Sequence, residues 1–378
     1  MTLDLVEVRR DLHRHPELGR QERRTTSVLA DHLTSAGLSP KVLAGGSGLV
    51  CDIGTEGPLV VLRADIDALP LQDEKHVTYR STVDGVCHAC GHDVHAAVVL
   101  GAGLELAARG LSSGRVRLLF QHAEELMPGG ALDVIDEGHL EGVSAVFALH
   151  CDPSLEVGRV GLKSGPLTAA ADAVQVRLTG PGGHTSRPHN TVDLVHVLAT
   201  VATGLPDALS RLVDPRAGLC LVWGRVLAGN AHNAIPREGE LAGTLRVLDK
   251  AVWHQAPELV ERLVQGLVSP YGARAVVTYQ RGVPPVVNDP GATALLGAAV
   301  TQALGAGGLV PTQQSLGGED FAWYLDHVPG AMARLGVRPP GSELTLDLHQ
   351  PMFDVDEGAI DVGVRVLVGA ALAALGAV

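Results

Sequence analysis

The chain has 378 residues, 46% of them hydrophobic, enough for two domains or one large one with a sizeable core. Its 29 Lys and Arg stand against 42 Asp and Glu, a formal charge of −13. That argues against nucleic acid or an anionic membrane as partner, because both need a basic footprint. Five cysteines in so long a chain point to reduced thiols and not to a disulfide scaffold.

The opening MTLDLVEVRRDLHRHPE meets charge within four residues and has no apolar core of signal length. The apolar tail VLVGAALAALGAV is too short to span a bilayer. A soluble cytoplasmic protein is expected.

Leu5, Val8 and Leu12 recur at helical spacing in a segment closed by Pro16 and Gly19. TTSVLADHLTSAGL predicts a second helix stopped at Gly37. Three continuous apolar runs follow. GPLVVLRADIDALP ends in Asp65 and Asp67, GRVRLLFQHAEEL in Glu124 and Glu125, and GVSAVFALHCDP in His150. Unalternated runs predict strands buried on both faces of a largely parallel sheet. Such sheets bind ligands beyond the carboxyl ends of their strands. The loop before the helix DVHAAVVLGAGLELAARG belongs at the same edge.

From about Thr168 the pattern changes to alternating strands and amphipathic helices in the order βαββαβ, a ferredoxin-like unit. The expected fold is therefore α/β, with a mixed, largely parallel sheet covered by helices on both faces. Residues 1–167 and 283–378 form that domain, interrupted by an inserted α+β lid over 168–282.

GVCHACGHDVH packs two cysteines and three histidines into eleven residues. Cys90 and His92, at i and i+2 around a glycine, can face one ion. A structural zinc knot needs a second Cys or His pair that does not follow, and a redox C-x-x-C leaves the strand-end carboxylates without a role. Glu124 and Glu125, adjacent at a strand end, are expected to point to different sides of the backbone, one on a metal and one free as a base. The bland alternative is a helix N-terminus, where acids suit the dipole. His184 in GPGGHTSRPH and Asn233 in GNAHNAIP sit on glycine-rich turns, and Arg246 lies on a strand. No Lys-Ser/Thr follows the GPGG glycines, so they are not a phosphate loop.

These segments resemble the di-metal amidohydrolases of the carboxypeptidase/aminoacylase metallopeptidase clan. The branch is that of hippurate hydrolases, auxin-conjugate hydrolases and N-acyl-amino-acid amidohydrolases. RRDLHRHPELG, RADIDALP, HACGHDVH, FQHAEE, GGHTSRPH, GNAHNAIP, GTLR, GGEDFAWYL and LHQPMFDVDE carry the likeness, in the family's order, over nearly the whole chain.

The resemblance implies two divalent ions per subunit (Mn, Zn, Co or Ni) held by Cys90, His92, Glu125, His150 and His349. It makes Glu124 the general base and Asp67 an acid that orients a ligand. It assigns His184 to the reaction oxyanion, and Asn233 and Arg246 to the substrate's carboxylate. The lid would make the protein a homodimer or higher homo-oligomer. The implied reaction is hydrolysis of an N-acyl amino acid to a carboxylic acid and a free amino acid. A dipeptidase or aminopeptidase of the same clan, or an idle metal-binding relative, are the rival readings. The chain departs from the branch at His122, where proline is usual, and from much of the clan at Asp65, where a ligand histidine is usual.

Overall fold

In the computed structural model, which describes residues 3–342 and 346–376, the unalternated apolar runs form buried strands. Leu59–Asp65 is buried at all seven positions, so it is covered on both faces. Arg115–Gln121 ends in four consecutive buried residues.

The chain divides into two compact units: Met1–Gly165 with Val287–Gln313 and Asp320–Val378, and Pro166–Val286 with Gln314–Glu319. The first unit holds an eight-stranded sheet. From one edge its strands are Lys41–Val42, Leu49–Ile53, Arg115–Gln121, Leu59–Asp65, Val143–Glu156, Gly330–Arg338, Val160–Leu162 and Leu309–Pro311. The centre is parallel: Leu59–Asp65 pairs in parallel with both neighbours, and Gly330–Arg338 pairs in parallel with Val143–Glu156. The register sets Asp65 opposite Gln121 and Arg63 opposite Ala148. Three strands thus reach the same level near Asp65, Gln121 and His150. His150 is not a strand end, as its sequence context predicts: the strand runs on to Glu156.

Helix α1 (Leu5–Arg14) is N-capped by the Asp4 carboxylate, which accepts the Val6 and Glu7 N–H groups. Helix α2 (Arg23–Ser35) stops before Gly37, whose φ of 81° needs no Cβ. Helix α3 (His92–Arg109) is buried along most of its first three turns. No described helix is long and apolar enough to cross a membrane.

The second unit has a four-stranded antiparallel sheet, ordered Cys220–Ala228, Glu238–Val247, Ala170–Thr179, Arg274–Val283. Helices Leu194–Leu212 and Lys250–Val268 complete the βαββαβ order, and the strand order is that of the ferredoxin-like split βαβ motif.

Candidate metal centre

Gly91 makes the loop between the strands and α3 possible. It sits at φ 90° at the helix N-terminus, and a Cβ there would lie 2.7 Å from Cys151 Sγ. Only glycine turns so tightly against that wall, and the turn leaves Cys90 and His92 on the same side.

Cys90, His92 and His150 form one group, with candidate ligand atoms within 4.8 Å of one another; Cys90, Glu125 and His349 form a second. Cys90 belongs to both, which is what a thiolate shared by two cations requires. Cys90 Sγ lies 3.5 Å from His150 Nε2, and His349 Nε2 lies 3.3 Å from Glu125 Oε1. His349 is a non-glycine residue at φ 62°, and its N–H is tied to the Ala89 carbonyl at 2.8 Å. That bond brings the distant C-terminal segment onto the cysteine loop.

The imidazoles are oriented from behind. His92 Nδ1 donates to the Asp67 carbonyl at 2.9 Å, and Asp67 Oδ1 is 3.2 Å away. His150 Nδ1 donates to the Cys151 carbonyl at 2.8 Å. In the neutral form each ring therefore carries its proton on Nδ1 and leaves Nε2 free, the tautomer a metal needs. Asp67 also accepts the Glu125 N–H at 2.9 Å, so one carboxylate steadies two candidate ligands.

His92 Nε2 and Glu125 Oε1 are both buried and make no hydrogen bond. Buried polar atoms are nearly always satisfied. Two orphans aimed at one spot, beside a thiol and two further imidazoles, fit a pair of soft-to-borderline divalent cations.

The glutamates are not governed by strand alternation. In a regular strand neighbouring side chains face opposite ways. Here the strand has already ended at Gln121, and Ala123 adopts φ 55°, a left-handed conformation rare for a non-glycine residue. Beyond it Glu124, Glu125 and His92 all offer an atom within 4.8 Å of one another.

Electrostatics run the same way. Burial raises the Cys90 thiol's pKa, against the pull of His92. Burial would lower that of His92, but Asp65 and Cys90 outweigh it and raise it well above the ordinary value. Contact with Cys90, then with Glu125, pushes His349 up to about 10. These groups form a self-neutralising cluster of acids and imidazoles that a cation would enter by displacing protons.

Asp65 is not left to a ligand role. Its Oδ2 takes Arg63 Nη1 at 2.7 Å, and its Oδ1 takes His95 Nδ1 at 2.5 Å. Arg63 also binds Asp320, which accepts Gln121 and the Ala131 N–H as well. This buried frame under the strand ends accounts for the aspartate of GGEDFAWYL. His122 is turned to Asp133 at 2.8 Å, which also takes Arg20.

The sequence model of peptidase family M20/M25/M40 matches residues 61–373. The chain belongs to this family. A crystal structure of the Bacillus subtilis YXEP protein, a dinuclear metal-binding peptidase of the M20 family, covers 99% of this chain and 98% of its own. Its TM-score is 0.87 at 34% identity. An N-acyl-L-amino acid amidohydrolase of Geobacillus stearothermophilus is 40% identical over 288 residues, 75% of this chain and 78% of that protein. An N-acetyl-L-cysteine deacetylase of Bacillus subtilis is 38% identical over 359 residues, 94% and 84% of the two chains. A Rhodococcus jostii protein bearing the name of a glutamate–cysteine ligase is 51% identical over 365 residues, but this chain spans only 46% of its length. Its name therefore describes a protein about twice as long.

The remaining predicted residues lie in the second unit. His184 and Asn233 are neighbours on a small ladder: Ala234 pairs with His184, and the Thr185 N–H bonds the Asn233 carbonyl at 3.3 Å. His184 Nδ1 accepts the Ser186 N–H at 3.0 Å. A backbone N–H can only donate, so the neutral ring carries its proton on Nε2. Arg246 stands opposite Cys220 and Ala171 in the sheet and donates to the Leu316 carbonyl. Among the described residues it pairs with no carboxylate.

Proposed function

We propose that the protein hydrolyses N-acyl amino acids to a carboxylic acid and a free amino acid. The observation that carries this reading is Glu124 standing beside two ligand groups that share Cys90. Cys90, His92 and His150 would hold one divalent ion, and Cys90, Glu125 and His349 the other, with Mn, Zn, Co and Ni all suited to the donor set. When bound, such ions lower the pKa of water and polarise a carbonyl.

The chain's own residues supply the rest. Glu124, 7% exposed, takes a proton from the attacking water and returns it to the departing amine nitrogen. His184 offers an Nε2–H donor for the oxyanion. Arg246, a planar guanidinium without a carboxylate partner, suits the substrate's α-carboxylate, and Asn233 assists it. The named activities of the Geobacillus and Bacillus relatives support this substrate class. An M20 enzyme built this way would act in the cytoplasm as a homodimer. Its Cys220–Ala228 strand is a sheet edge that exposes Val222, Val226 and Leu227, which supports pairing through the lid.

The test is hydrolysis of a panel of N-acetyl, N-benzoyl and longer N-acyl amino acids beside unblocked dipeptides, with metal content measured on the same sample. Turnover confined to dipeptides with a free amine would overturn the reading in favour of a peptidase.

A further inference from the structure

Glu22 opens α2 but does not cap it. A residue at that boundary normally gives its side chain to the first free N–H groups of the helix. Here the Glu17 carboxylate does so, accepting Arg24 N–H at 3.0 Å and Thr25 N–H at 2.8 Å. The Glu22 carboxylate, fully buried, reaches across the fold, and its Oε1 accepts the Ala123 N–H at 2.8 Å. Ala123 is the left-handed residue immediately before Glu124.

The anchor behind this contact is rigid. The Glu22 carbonyl takes the Thr26 N–H at 3.0 Å and the Thr26 hydroxyl at 2.5 Å. That hydroxyl in turn accepts the Gly48 N–H at 2.8 Å, so α2 and the start of the Leu49–Ile53 strand fix the base of the side chain. On the receiving side, the Ala123 carbonyl accepts the Gly130 N–H at 3.0 Å, and the Glu125 N–H is held by Asp67. Glu124 is thus suspended between a backbone pinned at 123 and at 125.

We infer that Glu22 is a positioning residue: its carboxylate holds Ala123 in the left-handed conformation that aims Glu124. This rests on the proposed role of Glu124 as the base. Without the bond from Glu22, Ala123 is free to relax to an ordinary extended or right-handed φ. The Glu124 carboxylate would then swing from its place beside His92. The second oxygen, Oε2, is buried and makes no hydrogen bond, so what Glu22 contributes is an acceptor at the right reach. Burial also raises its pKa, helped by the Asp67 charge, which agrees with a role that does not need charge.

Three substitutions separate reach from charge. Glu22→Gln keeps an acceptor at the same reach without charge, Glu22→Asp keeps charge but shortens the reach, and Glu22→Ala removes both. Each is assayed for kcat, KM and bound metal on the fastest N-acyl amino acid of the panel, with Glu124→Gln in parallel. We expect Glu22→Asp and Glu22→Ala to lose about tenfold to a hundredfold in kcat, the scale of a misplaced catalytic group. KM and metal content should be unchanged, and Glu22→Gln should restore most of the rate. Should Glu22→Ala fail to fold, the Gln and Asp pair carries the comparison. Parent kcat in Glu22→Asp would overturn the inference. So would a Glu22→Gln protein as slow as Glu22→Asp, or losses that track metal content. A fully active Glu124→Gln would remove the base assignment and this inference with it, whereas a slow Glu124→Gln beside a parent-like Glu22→Asp would remove the inference alone.

Discussion

His92 Nε2 and Glu125 Oε1 lie 3.9 Å apart, both buried and neither hydrogen-bonded. Without a metal the raised His92 pKa keeps a proton on that ring, and a divalent cation would displace it to reach the imidazole lone pair and the carboxylate oxygen. Chelator-treated protein should therefore lose amide hydrolysis and recover it with Mn, Zn, Co or Ni, at two ions per chain. Full turnover in protein shown by elemental analysis to be metal-free would end the hydrolase reading.

The adjacent glutamates should separate by phenotype. Glu124→Gln is expected to keep both ions and lose turnover by about 10²–10⁴. Glu125→Ala should lose an ion first, because its oxygen lies with Cys90 and His349. Metal titration of both variants decides the matter; the reverse pattern would exchange the two roles.

Cys90 belongs to both ligand groups, so Cys90→Ala should weaken both ions together, while Cys51→Ala and Cys220→Ala keep activity. Gly91→Ala should behave like Cys90→Ala without touching a ligand, since its Cβ would meet Cys151 Sγ at 2.7 Å in a left-handed backbone. A Gly91→Ala protein binding two ions normally would show that the loop tolerates another turn. Holo enzyme should also resist thiol oxidants better than apo enzyme, as the ions shield the sulfur.

Arg246 should read out the substrate's carboxylate. Converting that group to a methyl ester is expected to cut kcat/KM by about 2–4 kcal/mol, since the guanidinium loses its charged partner. Arg246→Ala should cost a similar amount for the acid and little more for the ester. If the variant discriminated acid from ester as well as the parent does, the Leu316 carbonyl contact would be the residue's whole purpose.

His13 links stability to pH. Its Nδ1 lies 2.7 Å from Asp93 and its Nε2 3.3 Å from Asp73. Burial opposes its charge, but Asp93 and then Asp73 prevail and push its pKa up to about 10. The folded value exceeds the unfolded one of about 6.5, so the native state holds the extra proton between them. The stabilisation is complete below about pH 6.5 and is lost as pH rises through about 10. Urea midpoints from pH 7 to 10 should fall more steeply for the parent than for His13→Asn. Parallel slopes would assign the alkaline loss to other groups.

Much of the centre is local information, and the amino-acid sequence determined it alone. Cys90 and His92 flank a glycine, Glu124 and Glu125 are neighbours, and the apolar runs before them are buried strands with few alternatives. Residue type and short spacing carry such facts because they depend on a few bonds of backbone. Other facts depend on contacts between segments far apart in the chain. His150 lies inside a long strand because Gly330–Arg338 pairs alongside it up to Glu156. His122, which the sequence leaves without a role, is drawn to Asp133. Past the strand end Glu124, Glu125 and His92 bring atoms together, where Ala123 is left-handed and the Glu22 carboxylate, just before α2, accepts its N–H. A dihedral of that kind is disfavoured locally, so no short-range pattern announces it. Tertiary structure decides it, through hydrogen bonds whose partners lie about a hundred residues away.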